Sequence, residues 1–122
     1  MKLIEHFISG KNYSGDSKRK SKVFDPSTGE QSAEVKLAST KDVNEAVESA
    51  KKSFDKWSNT PPLQRARVMF KFKELIEKNS EEITKIIVSE HGKVFEDAKG
   101  SLNRGLEVVE YACGIPLSLI HI

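Results

Sequence analysis

The chain has 122 residues, of which 37% are hydrophobic and 31% charged, enough for one small domain with a modest core. Its 20 basic and 18 acidic residues leave a net charge of +2, so the composition requires no polyanionic partner and nucleic acid is not expected. Insertion into a membrane is not expected either, because no apolar run approaches the roughly 20 residues that span a bilayer. The first residues, MKLIEHFISG, lack the apolar segment of a signal peptide. One cysteine, Cys113, cannot form an internal disulfide. We therefore expect a soluble protein of a reducing compartment, most simply the cytoplasm.

The first third of the chain predicts short β-strands separated by turns. Polar and apolar residues alternate around SGKN at 9–12, which suits a small hairpin. The basic run DSKRKSK at 16–22 is expected to be a solvated loop rather than a nuclear signal or a phosphate patch. A second pair of strands surrounds the turn Asp25–Glu30, with apolar positions at Val23, Phe24, Ala33, Val35 and Leu37. Together these segments predict a β-meander.

From Ser39 onward the apolar period changes from two to 3.6, which predicts amphipathic helices. Ser39 and Asp42 form an S-x-x-D start for a first helix that should end near Asn59. Thr60 and Pro61 predict the start of a second helix, with the threonine as its cap.

Two further helices are predicted after position 78. Asn79 is expected to cap the third helix, and Gly92 to end it in the left-handed conformation. The fourth helix runs through Gly100–Gly114 and ends near Pro116.

Each predicted helix carries an apolar face, and a short meander offers little surface to cover four of them. The faces of the first three helices contain Val43, Ala46, Val47, Ala50, Phe54 and Trp57, then Val68, Met69, Phe72, Leu75 and Ile76, then Ile83, Ile86 and Ile87. Leu63 and Phe70 lie off the main stripe of the second helix, and the fourth helix is apolar over more than half of its circumference. Because such surfaces usually pack against something, the pattern predicts a piece of a larger protein.

No motif for self-contained catalysis is present, and we assign no catalytic residue, metal ligand or cofactor-binding residue. His6, His91 and His121 lack the spacing of metal ligands and are expected to be ordinary histidines. Cys113 falls on an apolar helix face without a neighbouring cation or base, which favours a packing role over a nucleophile. There is neither a G-x-G-x-x-G motif nor a Walker loop.

Arg104 is the unusual residue of the fourth helix. In helical projection it lies between Val108 and Tyr111, at the edge of the apolar arc and away from the acidic stripe that contains Glu107 and Glu110. A guanidinium in that place must meet an anion or reach water, or else it destabilises the fold.

Several segments, in order, resemble the N-terminal region of aldehyde dehydrogenases. They are FDPSTGE at 24–30, STKDVNEAVESAKKSFDKWS at 39–58 and PPLQRARVMFKFKELIEKNSEEITKIIVSEHGK at 61–93. The closing NRGLEVVEYACGIP at 103–116 is similar to the CoA-acylating methylmalonate-semialdehyde dehydrogenases, which carry an R-G-hydrophobic-E-x-V-E-[FY] pattern there. The resemblance covers Phe7–Pro116 and implies an α/β parent fold. Residues 1–116 would be the N-terminal part of its NAD-binding domain, a short β-meander followed by about four amphipathic helices.

The resemblance also implies an activity for the parent protein. It would oxidise methylmalonate or malonate semialdehyde with NAD and transfer the acyl group to CoA, in valine and pyrimidine breakdown, as a homo-oligomer. Arg104 aligns with an arginine that binds the substrate carboxylate in that family, and a bidentate guanidinium suits a planar carboxylate. The alternative is that Arg104 pairs with a carboxylate elsewhere in the larger protein. The family's nucleophilic cysteine, glutamate, oxyanion-hole asparagine and nucleotide-binding strands are expected outside this chain, which should therefore be inactive and bind neither NAD nor CoA well.

The chain departs from the family pattern at two places. Ser101 stands where the family usually has glutamate. The tail LSLIHI at 117–122 departs from the expected continuation, and its codons could read CTG-TCT-CTT-ATA-CAC-ATC, a sequencing-adapter string, so we expect 117–122 to be non-native. Two other hypotheses stay open: a fragment of a non-acylating semialdehyde dehydrogenase, and a stand-alone helical module that binds a protein partner.

Overall fold

The structure is a computed structural model in which residues 2–118 are described. Its chain divides into two compact units, Met1–Asn59 and Thr60–Ile122. Most of the tail predicted to be non-native, residues 119–122, lies outside the described residues, as does His121. No helix among residues 2–118 combines the length and the apolarity that crossing a bilayer requires.

The first unit contains five short strands and one long helix. These are β1 (Lys2–Ile4), β2 (His6–Ile8), β3 (Lys11–Tyr13), β4 (Lys20–Phe24), β5 (Gln31–Lys36) and α1 (Thr40–Ser58). Strand β5 is the centre of a three-stranded sheet and pairs antiparallel with β4 and parallel with β1, while β2 and β3 form a separate hairpin. Both predicted hairpins are present. The parallel pairing of β1 was not predicted, because it joins residues as distant in sequence as Lys2 and Ala33.

The turn between β2 and β3 is shorter than predicted. Ser9 and Gly10 both have positive φ, 56° and 76°, as a two-residue type I′ hairpin turn demands, so Lys11 and Asn12 belong to β3. The predicted loop at 16–22 also ends early, because β4 begins at Lys20. Pairing with β5 places those basic residues in an edge strand, where charged side chains discourage association of sheet edges.

Helix α1 begins and ends where the sequence predicts. Ser39 is its N-cap and forms a capping box with Asp42, and Asn59 is the C-cap residue. The two reciprocal hydrogen bonds of the box satisfy backbone donors that the first helical turn would otherwise leave unpaired.

The second unit consists of helices. They are α2 (Pro62–Lys78), α3 (Ser80–His91), α4 (Phe95–Cys113) and the short α5 (Ile115–Ser118), with α4 packed against both α2 and α3. The side chains buried most completely here are small: Ala66, Thr84, Ala98 and Cys113. Small side chains at the contacts allow helix axes to approach closely.

Three details of the predicted helix boundaries are wrong. Thr60 is not the N-cap residue of α2: that position is held by Pro61, which forms no side-chain cap hydrogen bond. Asn79 occupies the N-cap position of α3, but its amide Nδ2 donates to the carbonyl of Leu75 at 2.7 Å, so it closes α2 instead. Helix α4 begins at Phe95 rather than at Gly100, and α5 was not predicted. The left-handed stop at Gly92 is confirmed, with φ of 76°.

Much of the apolar surface of the helices is exposed. The large side chains exposed by 44–78% of their surface include Val43, Val47, Phe54 and Trp57 of α1, and Leu63, Val68, Phe70, Phe72, Leu75, Ile86, Val108, Tyr111 and Leu117 of the second unit. Ile86 was predicted to face inward and does not. Exposed apolar patches of this kind mark surfaces that contact other groups, which agrees with the prediction that this chain cannot cover its own helices.

Candidate anion-binding site

The local sequence places two basic side chains beside Ser101 of α4. Gly92 ends α3 in the left-handed conformation, and the chain turns through Lys93 before α4 begins at Phe95. Ser101 and Arg104 are three residues apart on α4, a spacing that brings side chains together on one helix face. Lys93, Ser101 and Arg104, called the cationic cluster below, are therefore neighbours although eight residues separate the lysine from the serine.

One hydroxyl connects the cationic cluster. Ser101 Oγ accepts hydrogen bonds from Lys93 Nζ at 2.9 Å and from Arg104 Nη2 at 3.1 Å, and it donates to the carbonyl of Asp97 at 3.1 Å. A serine hydroxyl has one proton and two lone pairs, so these three bonds use its whole capacity. Toward the other residues of 2–118, Lys93 leaves two N–H donors unused and Arg104 leaves four, because an ammonium has three donors and a guanidinium five.

Within residues 2–118, neither cation of the cluster forms an ion pair with a carboxylate. Other lysines of the second unit do: Lys73 Nζ lies 2.5 Å from Glu77 Oε1 and 3.1 Å from Glu110 Oε1, and Lys85 Nζ lies 2.6 Å from Glu81 Oε1. Arg104 is exposed, as are Val108 and Tyr111 beside it, at 68% and 77%. The position predicted for Arg104, at the edge of the apolar arc and away from the acidic stripe, follows from its place on α4, and the structure adds that the side chain is exposed. Its role in binding substrate stays a prediction.

The other residues considered from the sequence form no site in the described part of the chain. Cys113 is 7% exposed, as a packing residue should be. His91 is exposed in the last turn of α3, and the ring of His6 lies 6.4 Å from the ring of Tyr13. Among residues 2–118, no group of three or more histidine, cysteine, aspartate or glutamate side chains is arranged to hold a metal ion.

Asp42 has a strongly perturbed carboxyl group with a structural role. Its carboxylate is 2% exposed and accepts hydrogen bonds from the backbone N–H and the hydroxyl of Ser39, at 2.7 and 2.8 Å, and from the N–H of Asp16 at 3.0 Å. These bonds, those from Ser39 foremost, hold the pKa of Asp42 far below its ordinary value. The carboxylate thereby ties the loop before β4 to the start of α1. The sequence indicated the bond to Ser39, but nothing local indicated the bond to Asp16.

The described residues do not fit a dinucleotide site. The pyrophosphate of NAD is normally bound by a glycine-rich turn that leads from a strand into the N-terminus of a helix. Here β5 leads into α1 through Leu37, Ala38 and Ser39. The side chains of Ser39 and Asp42 already occupy the first turn of that helix.

The chain resembles known proteins in both sequence and fold. Residues 13–120 match the aldehyde dehydrogenase family. The crystal structure of methylmalonate-semialdehyde dehydrogenase from Oceanimonas doudoroffii is 51% identical, with a TM-score of 0.91 over 95% of this chain and 24% of that one. A Sinorhizobium meliloti structure assigned to the same enzyme and complexed with NAD is 48% identical, with the same TM-score and coverage. The malonate-semialdehyde dehydrogenase of Pseudomonas aeruginosa is 47% identical over 116 residues, which are 95% of this chain and 23% of that protein.

The chain therefore belongs to the aldehyde dehydrogenase family. Within that family it is similar to methylmalonate-semialdehyde and malonate-semialdehyde dehydrogenases, and it spans about a quarter of their length. The resemblance inferred from the motifs is confirmed, and so is the fold class, in which short strands precede several helices.

Proposed function

We propose that the whole protein is an NAD-dependent, CoA-acylating dehydrogenase of the cytoplasm that acts in valine and pyrimidine breakdown. It converts methylmalonate or malonate semialdehyde to propionyl-CoA or acetyl-CoA, with reduction of NAD and loss of the carboxylate carbon as carbon dioxide. The names of the similar proteins support the aldehyde substrate, and the relative complexed with NAD supports the cosubstrate. The use of CoA rests on the motif at 103–116. Residues 1–116 would be the N-terminal part of the NAD-binding domain, residues 117–122 a non-native tail, and the whole enzyme a homo-oligomer.

Arg104 is the residue of this chain that we assign to the substrate. The supporting observation is that its guanidinium is exposed and lies beside the exposed apolar side chains of Val108 and Tyr111. Among the residues that the structure describes, its one hydrogen-bond partner is a neutral hydroxyl at 3.1 Å. A semialdehyde of this class has a carboxylate at one end and a short carbon chain. A guanidinium binds a carboxylate with two parallel N–H···O bonds, and the adjacent apolar surface suits the carbon chain. Binding the carboxylate would orient the aldehyde for reaction elsewhere in the enzyme.

This role can be tested in a chimera in which residues 7–116 replace the matching quarter of the Oceanimonas doudoroffii enzyme. Arg104→Leu should lower kcat/KM for malonate semialdehyde by about tenfold to 150-fold, the equivalent of losing about 1.5–3 kcal/mol of hydrogen bonding to a charged group. A simple aliphatic aldehyde should be affected little. Arg67→Leu, which removes an exposed arginine of α2, is the matched control. Equal losses for the two aldehydes would show that Arg104 is structural and pairs with a carboxylate of the larger protein.

The chain alone should not catalyse the reaction. We expect no NADH from the purified 122-residue chain with malonate semialdehyde, NAD and CoA, and turnover by the chain alone would contradict the proposal. The use of CoA is tested with the full-length protein from the complete reading frame, which should form NADH only when CoA is present. Turnover of that protein without CoA would favour a non-acylating dehydrogenase.

A further inference from the structure

We infer that Lys93 is a second cation of the Arg104 site and that Ser101 determines the charge of that site. The inference rests on the proposed function, because it concerns the same carboxylate. It adds a ligand that the motif resemblance does not assign and a residue that controls how strongly the site attracts an anion.

The geometry of the cationic cluster supports a role for Lys93 in binding an anion together with Arg104. Because Lys93 Nζ and Arg104 Nη2 bond one oxygen atom, at 2.9 and 3.1 Å, the two charges lie within about 6 Å of each other, a range in which like charges repel appreciably. The hydroxyl between them is neutral and cannot offset that repulsion. No carboxylate among the described residues pairs with either cation, in contrast to Lys73 and Lys85 of the same unit. An anion that bonded both cations would relieve the repulsion, which makes the pair selective for a negatively charged group.

The hydrogen bonds of Ser101 support its role in determining the charge of the site. Its proton is donated to the carbonyl of Asp97 at 3.1 Å, so both of its lone pairs are directed to the cations. The hydroxyl therefore positions Lys93 and Arg104 without neutralising them. A carboxylate at position 101, where the family usually has glutamate, would form ion pairs with both cations and compete with a bound anion. This chain should therefore attract an anion here more strongly than relatives that have that glutamate. Threonine has the same hydroxyl and should preserve the arrangement.

The test is an NMR titration of the purified chain with malonate, at an ionic strength held constant with sodium chloride, following the side-chain signals of Lys93 and Arg104. Both signals should shift and saturate together. Lys93→Met should weaken malonate binding about threefold to fivefold, as expected for one exposed ion pair. Ser101→Glu should weaken it about tenfold or more, because the new carboxylate pairs with both cations. Ser101→Thr should bind like the original chain.

Lys99→Met is the matched control. It removes an exposed lysine from α4 that does not bond Ser101, so a loss of affinity equal to that of Lys93→Met would reduce the effect to general charge and overturn the inference. No saturable shift in the original chain, or unchanged affinity in Lys93→Met, would overturn it as well. If circular dichroism shows that Ser101→Glu does not fold, Lys93→Met decides the question.

Kinetics of the chimera separate this inference from the proposed function. Lys93→Met should raise KM for malonate semialdehyde and leave kcat nearly unchanged, and Ser101→Thr should retain the original KM. If Arg104→Leu affects both aldehydes equally while Lys93→Met still weakens malonate binding to the chain, the proposed function fails and the two-cation site remains. If Arg104→Leu is selective and Lys93→Met changes neither KM nor malonate affinity, the proposed function stands and this inference fails.

Discussion

Replacing Gly15 with alanine should break the connection between the loop before β4 and the start of α1. Gly15 has φ of 64°, which L-residues adopt at a cost. A Cβ atom there would lie 2.6 Å from Asp42 Oδ1 and 2.8 Å from Asp42 Cγ, well inside van der Waals contact. Because that carboxylate is held by Ser39 and by the N–H of Asp16, it cannot move aside without giving up hydrogen bonds.

The expected loss of stability combines two effects. The left-handed conformation costs an alanine about 1–2 kcal/mol, and forcing an atom into a packed position costs about 1–3 kcal/mol more. Gly29→Ala isolates the first effect, because Gly29 has φ of 73° and a Cβ atom there would meet nothing within 4 Å. Gly15→Ala should therefore lower the free energy of unfolding by about 1–3 kcal/mol more than Gly29→Ala does.

The assay is urea unfolding of each variant at pH 7, followed by far-UV circular dichroism. Hydrogen exchange of the Asp16 amide gives a local measure, since this N–H donates to Asp42 at 3.0 Å, and it should accelerate in Gly15→Ala and not in Gly29→Ala. In a background carrying Asp42→Ala, the overlap is removed and Gly15→Ala should cost no more than Gly29→Ala. Equal losses of stability in the two glycine variants, to within roughly 0.5 kcal/mol, would show that the added Cβ atom does not overlap Asp42.

Three further predictions concern the same structure. Folding lowers the pKa of Asp42, so this carboxylate stabilises the fold above the pKa of the unfolded carboxyl group, about 3.9, and the stabilisation disappears as the pH falls below that value. Urea midpoints should therefore decline below about pH 4, and less steeply in Asp42→Asn. Parallel curves for the two proteins would exclude this carboxyl group as the cause of the decline. Ser39→Ala removes the N-cap of α1 and should lower the free energy of unfolding by about 1 kcal/mol, with Ser53→Ala, a mid-helix serine, as a control that should change little. Lys73 forms ion pairs with Glu77 of α2 and Glu110 of α4, and these carboxylates raise its pKa. Lys73→Met should therefore lower the urea midpoint more than Lys71→Met, which breaks the ion pair with Glu74. Equal midpoints would show that the ion pair between the two helices does not stabilise the fold.

The candidate site could be predicted in part. Arg104 was identifiable because helical periodicity alone sets it apart from both the acidic stripe and the middle of the apolar face, and the structure keeps it there. Lys93 was not identifiable. Its bond to Ser101 depends on the path of the chain between Gly92 and Phe95, and on a start of α4 five residues earlier than Gly100, where the sequence placed it.

The features that were predicted correctly are those that neighbouring residues control. The capping box at Ser39, the left-handed stop at Gly92 and the order of strands and helices follow from side chains and backbone conformations a few residues apart. The motifs, read in order, also identified the family. The contacts between distant groups depend on tertiary packing: β1 pairs with β5, and the Asp16 amide donates to the Asp42 carboxylate. Such contacts form between residues far apart in the chain, so a pattern within a short stretch of sequence does not indicate them.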